Sequence, residues 1–547
     1  MGISWDGITL RNKIYKDIVA LLLITLLSCL VWTGQYVRRD LWDQDEARYT
    51  YVAWEMDQTD SWFMPVRNGQ PYAHKPPLMF WLIKASTLIS GGEYNGVSGR
   101  LPTLLGSILA LWAFLKLAIF WFDRQTAWRG LLILLTSSLF WKKGGMGQID
   151  MLLLGLEMCA IYFLVSAHSF PQRWRYLIAF SLMGLAILAK GPVGLIVPIG
   201  IYSAITLAGG YGRKVPGWHW LWGICLALLF PACWLLLAKL NGAPDSYFHE
   251  LLFKQNIDRF AGNFGGHVRP FYYYIPHLFM DFLPWTFLVP GSLVLLFRQA
   301  AKRAQLKSIL GWIFFVVLFF SLSSSKRNLY ILSVYPAASL LVASALPELK
   351  TLSSRWQRNT VYPLLSLLGL VATGVLIAPW VVDVRVPHKV FLILAILLFV
   401  GLALLLRQFR TQRLTAGWVY LAVGVFFINE LYLGCILWPT YNPIKTPARF
   451  AEAVQKIVPE DQPLLIYRKN GEIFSLYSKR RGKQVSTIEA LLLEMHATRH
   501  GVVLFKMERW NKLKNQLKHL GTANTFTMGK ESFCWLEYDI ALTSRIQ

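Results

Sequence analysis

Acidic side chains are scarce in this chain of 547 residues: 30 Asp and Glu stand against 55 Lys and Arg, a formal net charge of +25. A nucleic-acid binder would gather such an excess on one soluble face. Here the basic residues fall mostly between apolar runs, which excludes nucleic acid as the partner and leaves membrane topology and lipid contact. Cysteine is scarcer still. Of the six, Cys29, Cys159, Cys225, Cys233 and Cys435 lie in apolar runs and Cys534 stands alone in the polar tail, so no disulfide framework can staple that tail. No small-x-small cleavage pattern follows the first apolar run, which therefore reads as a retained anchor. The lack of a clear internal repeat speaks against a transporter or lipid flippase, the competing class for a chain of this composition.

Apolar sequence is what abounds. The hydrophobic fraction is 55%, aromatics make up 14% and the mean hydropathy is +0.42. Runs near bilayer length fall at approximately 14–34, 98–120, 127–141, 149–169, 175–190, 191–208, 217–239, 271–297, 308–323, 328–346, 360–380, 388–407 and 414–437. This predicts a mostly α, polytopic membrane protein of about 13 transmembrane helices. With the N-terminus cytoplasmic, every turn on that side is basic, from Arg124 and Arg129 to Arg410 and Arg413, as the positive-inside rule asks. Loops 35–97 and 240–270 and the tail 438–547 then face outward. The first loop interleaves Trp54, Met56, Trp62, Phe63 and the run 78–89 with charges, as helices lying in the membrane interface do.

Composition changes after Trp438. Helical periodicity at 447–458 and 487–498 alternates with strand-like 463–467, 502–505 and 533–538, predicting a small C-terminal α/β soluble domain. It carries neither a glycine-rich phosphate loop nor a metal-ligand spacing. The expected organisation is a transmembrane domain over 1–437, with outer loops 35–97 and 240–270 forming an active site, followed by an outward α/β domain over 438–547.

Chemistry concentrates at the outer face. Asp45 and Glu46 follow the first span, where carboxylates beside lipid need solvent or partners, and Arg48 and Tyr49 are at hand; the same acids also suit a helix start. Asp150, at the outer end of the fourth span, reads either as a second acid for general-base work or as that helix's N-cap. Lys75, stiffened by Pro76-Pro77, presents an ammonium suited to phosphate. Lys190 falls between two apolar spans, where an ionisable group is a functional candidate or a snorkelling lysine. Arg259 and Arg269 flank a glycine-containing loop fit for anion contact. Lys326 and Arg327 break the usual avoidance of positive charge at outer turns, and a lipid phosphate is the simplest reason. His74 and His267 would be metal ligands only if their loops converge, which leaves a divalent metal open.

In this order, Asp45-Glu46-x-Arg48-Tyr49, Lys75-Pro76-Pro77-Leu78, Gly99-Arg100-Leu101-Pro102, Asp150, Leu188-Ala189-Lys190-Gly191-Pro192, Pro284-Trp285 and Ser325-Lys326-Arg327-x-Leu329-Tyr330-Ile331-Leu332 resemble the bacterial membrane glycosyltransferases of the GT-C class, specifically the aminoarabinose-transferase (ArnT) and protein O-mannosyltransferase-like (PMT) group. The resemblance covers roughly 40–340. It implies an inner-membrane enzyme with a periplasmic active site and C-terminal domain, using an undecaprenyl-phosphate-linked sugar donor and requiring no cofactor. It implies inverting transfer to lipid A or another lipopolysaccharide acceptor, with a protein O-mannosyltransferase-like reaction on another sugar or acceptor as the alternative. Asp45 would be central to catalysis with Asp150 as second acid, Lys75 and Lys190 would contact phosphate, and Tyr330 would line the cavity. His74 stands where aminoarabinose transferases typically carry Glu, which leaves the sugar open.

Overall fold

The computed structural model describes residues 5–169, 172–210, 217–258, 268–382, 385–469 and 471–540. Its contacts divide the chain into two units: one comprises Met1–Gln35, His74–Leu78 and Pro102–Leu437, the other Tyr36–Ala73, Met79–Leu101 and Trp438–Gln547.

Among the described residues nine helices are long and apolar enough to cross a bilayer, or ten if the bent pair Phe271–Met280 and Trp285–Phe297 is one span. The expected thirteen are not reached, and the shortfall has local causes. Where one span was expected at 127–141, the chain breaks into helices Arg124–Leu135 and Ser138–Gly144, with Thr136 capping the first and Ser137 leading the second. Twelve residues rise about 18 Å, well short of a hydrocarbon core of about 30 Å. The helix Val193–Gly209 has 17 residues, and Arg173–Lys190 spends three of its 18 on Arg173, Arg175 and Lys190.

In the first unit the helix Ile149–Ser169 packs against Arg173–Lys190 and Val193–Gly209, and Val193–Gly209 against Arg303–Leu322. Its approach to Gly96–Trp121 is backbone on backbone. A Cβ at Gly106 would stand 2.4 Å from the Leu152 Cα, so only glycine permits that crossing. The start of Ile149–Ser169 is pinned there too: Thr103 Oγ1 accepts from the Gln148 backbone N–H at 3.1 Å and donates to the Gln148 carbonyl at 3.2 Å.

The second unit joins the first outer loop to the C-terminal tail. Asp43 caps the helix Gln44–Gln58 by accepting from the Asp45 and Glu46 backbone N–H groups. A small hairpin follows, β1 (Val66–Arg67) and β2 (Gln70–Pro71), turned by Asn68 and Gly69 at φ +53° and +74°. Positive φ at both positions is what a two-residue type I′ turn requires, and Asn-Gly supplies it at least cost. Glu55 accepts from the Asn68 and Gly69 backbone N–H groups at 2.6 and 2.8 Å, fixing the turn on the helix. The helix Leu78–Thr87 completes the loop.

The tail forms a five-stranded sheet of β3 (Leu464–Tyr467), β4 (Gly482–Val485), β5 (His500–Lys506), β6 (Gly521–Met528) and β7 (Glu531–Asp539), in the order β4-β3-β5-β7-β6. β4, β3 and β5 run parallel and β7 pairs antiparallel with β5 and β6. The expected strands and both expected helices, now Ala448–Ile457 and Ile488–Thr498, are present; β4 and β6 are additions. Both faces are covered: Leu465, Val503 and Phe505 lie in one core and Leu464, Ile466 and Leu504 in the other. That double burial explains why the central strands read as unbroken apolar runs. First-loop residues join the tail through Leu41 and Tyr51 against Leu476, through Arg67 on Glu472, and through the Gly482 N–H donating to the Tyr51 hydroxyl at 3.1 Å.

Candidate active site

A cavity of about 890 Å³, counting its open mouth, lies in the first unit. One wall is a single face of the helix Ile149–Ser169: Asp150, Leu153, Leu154 and Glu157 recur at i, i+3, i+4 and i+7, the spacing that stacks side chains on one side of an α-helix. Lys190 reaches in from the end of Arg173–Lys190, where Gly191 takes φ +93° and stops the helix. Lys75 arrives from the segment stiffened by Pro76-Pro77, and Tyr330 from the turn after Arg303–Leu322.

The electrostatics are those of a shielded ion pair. The Lys190 ammonium donates to the Asp150 carboxylate, the two side chains being 15% and 11% exposed, and it also stands 4.8 Å from the centre of the Tyr330 ring. Lys143 and Arg327 are near enough to act on Asp150 electrostatically, and Lys143 is itself held by Gln148 Oε1 at 2.8 Å. Asp150 is thus a partner of Lys190 in the first helical turn, and its N-cap reading falls away. An ammonium carries three N–H donors, so Lys190 can hold Asp150 and still present donors to an anion.

The remaining expected residues separate. Asp45 and Glu46 belong to the second unit. Asp45 pairs with Arg48, both partly exposed, and the Arg48 guanidinium lies 5.2 Å from the Tyr49 ring. Glu46 is fully buried between two guanidiniums, with Oε1 2.6 Å from Arg39 and 2.9 Å from Arg100. Lys326 does not line the cavity. It is buried, and its ammonium donates to the Ser323 and Arg269 carbonyls, while the Arg269 N–H donates to the Ser324 carbonyl at 3.2 Å. In that clasp the Arg269 residue is exposed. Arg259 and His267 lie outside the described residues. His74 Nε2 faces Glu250 Oε1 at 3.3 Å, and among the described residues no three His, Cys, Asp or Glu side chains converge to hold a metal.

Residues 74–236 match the family described as dolichyl-phosphate-mannose-protein mannosyltransferase. Over 444 residues the chain is 29% identical to the undecaprenyl phosphate-alpha-4-amino-4-deoxy-L-arabinose arabinosyl transferase of Aeromonas salmonicida, covering 78% of this chain and 79% of that one. The Pectobacterium atrosepticum protein of the same name is 28% identical over 470 residues, 82% and 81% of the two chains. The crystal structure of ArnT from Cupriavidus metallidurans, bound to undecaprenyl phosphate, superposes with a TM-score of 0.74 at 19% identity over 94% of this chain and 97% of that one. In sequence and fold the chain resembles the ArnT-like GT-C glycosyltransferases.

Lys75, Asp150 and Lys190 all fall inside the matched stretch. So does Glu157, a residue the sequence reading passed over although a signal was there: a carboxylate eight positions into an apolar span is costly and by default functional. Gln255, Ser323 and Ser325 are further polar lining groups with no such signal, since loops of Gln and Ser occur everywhere.

Proposed function

We propose that this chain transfers a sugar, with inversion, from undecaprenyl phosphate to lipid A or another lipopolysaccharide acceptor, the sugar being of the aminoarabinose type. The observation that carries the reading is the convergence of Lys75 and the Asp150–Lys190 pair on one cavity within the membrane unit. The relatives' names supply the donor and the sugar.

In the proposed reaction the acceptor oxygen forms a bond to the anomeric carbon while the bond from that carbon to the undecaprenyl phosphate oxygen breaks. Negative charge grows on the departing phosphate in a poorly hydrated place, so fixed ammonium donors supply the main catalytic effect. Lys75 and Lys190 are those donors, joined by Arg327 and, from the loop 240–270, Arg259. Asp45 deprotonates an acceptor hydroxyl. Toward a lipid A phosphate, already ionised, it orients the reactants instead. No metal or cofactor enters this scheme. The enzyme is placed in the bacterial inner membrane with the N-terminus cytoplasmic and the site and α/β tail periplasmic, a placement supported by the basic residues of the inner turns.

A protein O-mannosyltransferase-like reaction is the second reading, favoured by the description of the matched family and by His74 where a glutamate is expected. Mass spectrometry of lipid A and of envelope glycans from a deletion strain separates the two. With purified protein and a radiolabelled undecaprenyl-phosphate sugar, Lys75→Ala is expected to lower transfer by roughly 10²- to 10³-fold, the loss typical of one transition-state donor. Asp45→Asn is expected to abolish transfer while the protein inserts normally. Wild-type rates in both variants would overturn the assignment.

A further inference from the structure

Among the described residues, the lysines and carboxylates lining the cavity are Lys75, Lys190, Asp150 and Glu157, two of each sign. Three of them are accounted for by the ion pair and the phosphate. Glu157 is left over: it is 4% exposed, and among the described residues no donor lies within hydrogen-bonding distance of its carboxylate, although Lys190 and Asp150 act on it electrostatically. A carboxyl group in that setting costs free energy unless something that enters the cavity repays its lost hydration. Phosphate does not suit the ionised carboxylate, because like charges repel, whereas a cation does.

From Asp150 to Glu157 the helix advances two turns, about 10 Å along its axis. Lys190 is therefore held at the Asp150 end of the wall, and Glu157 meets a ligand two turns along it. Lysine ammoniums together with a spare carboxylate on one wall match a ligand that is itself a zwitterion, an anionic phosphate joined to a cationic ring. A donor whose sugar is neutral would satisfy the lysines and leave Glu157 bare.

We propose that Glu157 is a specificity-determining residue that binds the ammonium group of the transferred amino sugar. This rests on the sugar-transfer reading above and adds the group that selects the sugar. Nothing covalent happens at Glu157; its carboxylate accepts hydrogen bonds from the ammonium while the anomeric carbon reacts elsewhere.

The test compares two undecaprenyl-phosphate donors differing only at that nitrogen, one with a free amine and one N-acetylated. Wild type is expected to favour the free amine in kcat/KM, and Glu157→Gln, which keeps size and hydrogen bonding but loses the charge, is expected to reduce that preference roughly ten- to hundredfold, the range for hydrogen bonds between charged groups. Glu157→Asp should restore part of the preference. An equal loss on both donors would mean that Glu157 only positions Lys190, and an unaltered preference would mean that the carboxyl is protonated or idle; either result overturns the proposal. If Glu157→Gln does not fold, the wild-type comparison decides alone: equal use of both donors sinks the role of Glu157, whereas transfer from neither sinks the sugar-transfer reading itself.

Discussion

Asp150→Asn is expected to lower kcat/KM for sugar transfer by roughly 10²- to 10³-fold, the usual loss when one preorganised group that meets developing charge is displaced. The carboxylate is not itself placed against the phosphate. Its part is to hold the Lys190 ammonium in the cavity, against the Tyr330 ring, and an amide of the same shape offers one weaker acceptor and no charge. The same substitution leaves Lys190 as a shielded cation without its counter-ion, and removal of one partner of a buried pair typically destabilises by about 3–5 kcal/mol. Activity and stability can be told apart by taking away both charges. Asp150→Asn with Lys190→Met should melt at a higher temperature than either single variant, because an ion pair replaced on both sides is close to neutral, yet it should transfer no sugar. Recovery of transfer in the double variant, or full activity in Lys190→Met alone, would show that the pair merely holds the helices together.

The second large effect belongs to stability. Glu46→Gln is expected to cost about 3–5 kcal/mol, seen as a melting temperature lower by roughly 10 °C, and to open the second unit to proteolysis. Arg39 and Arg100 are both fully buried, and Glu46 is the carboxylate between them. Burial, with Arg100 alongside, pushes the Arg39 guanidinium down to about 10, still far above neutral pH, so Arg39 remains charged in the folded protein. Arg100 is also fixed by the carbonyls of Arg39 and Asp40, at 2.6 and 2.9 Å, and cannot swing away to water. Arg100→Lys should not be tolerated, since an ammonium cannot reproduce the guanidinium fork that grips Glu46 and those carbonyls together. A Glu46→Gln protein that melts like wild type but has lost transfer would return Glu46 to catalysis, the role its neighbour Asp45 suggested in the sequence.

Glu46 and Lys326 illustrate how a correct motif can mislead about its members. Both were legible as charged residues at the outer face, and both are spent on holding backbone or side chains: Glu46 on two arginines, Lys326 on the Ser323 and Arg269 carbonyls. Residue type and spacing cannot tell a charge that faces a ligand from one that faces its own chain, because each also has a partner more than fifty positions away, Arg100 for Glu46 and Arg269 for Lys326. The count of thirteen spans is not confirmed, for a more local reason. Thr136 and Ser137 are helix-capping residue types, and they divide a run that hydropathy alone read as continuous.

The sequence by itself determined what any short window of it can encode. Apolar runs near bilayer length made this a polytopic membrane chain, alternating periodicities located the helices and strands of the tail, and Asn68-Gly69 suits a tight hairpin turn. The ordered motifs carried the resemblance to the GT-C glycosyltransferases. Only the tertiary structure decided which charges meet: that Asp150 holds Lys190, that Glu157 faces the same cavity, and that the first outer loop folds with the C-terminal sheet. Local propensity acts over a few residues through backbone sterics and burial. Pairing of charges across forty or more residues depends on where close-packed helices bring them, as at the glycine contact of Gly106 with Leu152, and that is a property of the assembled chain.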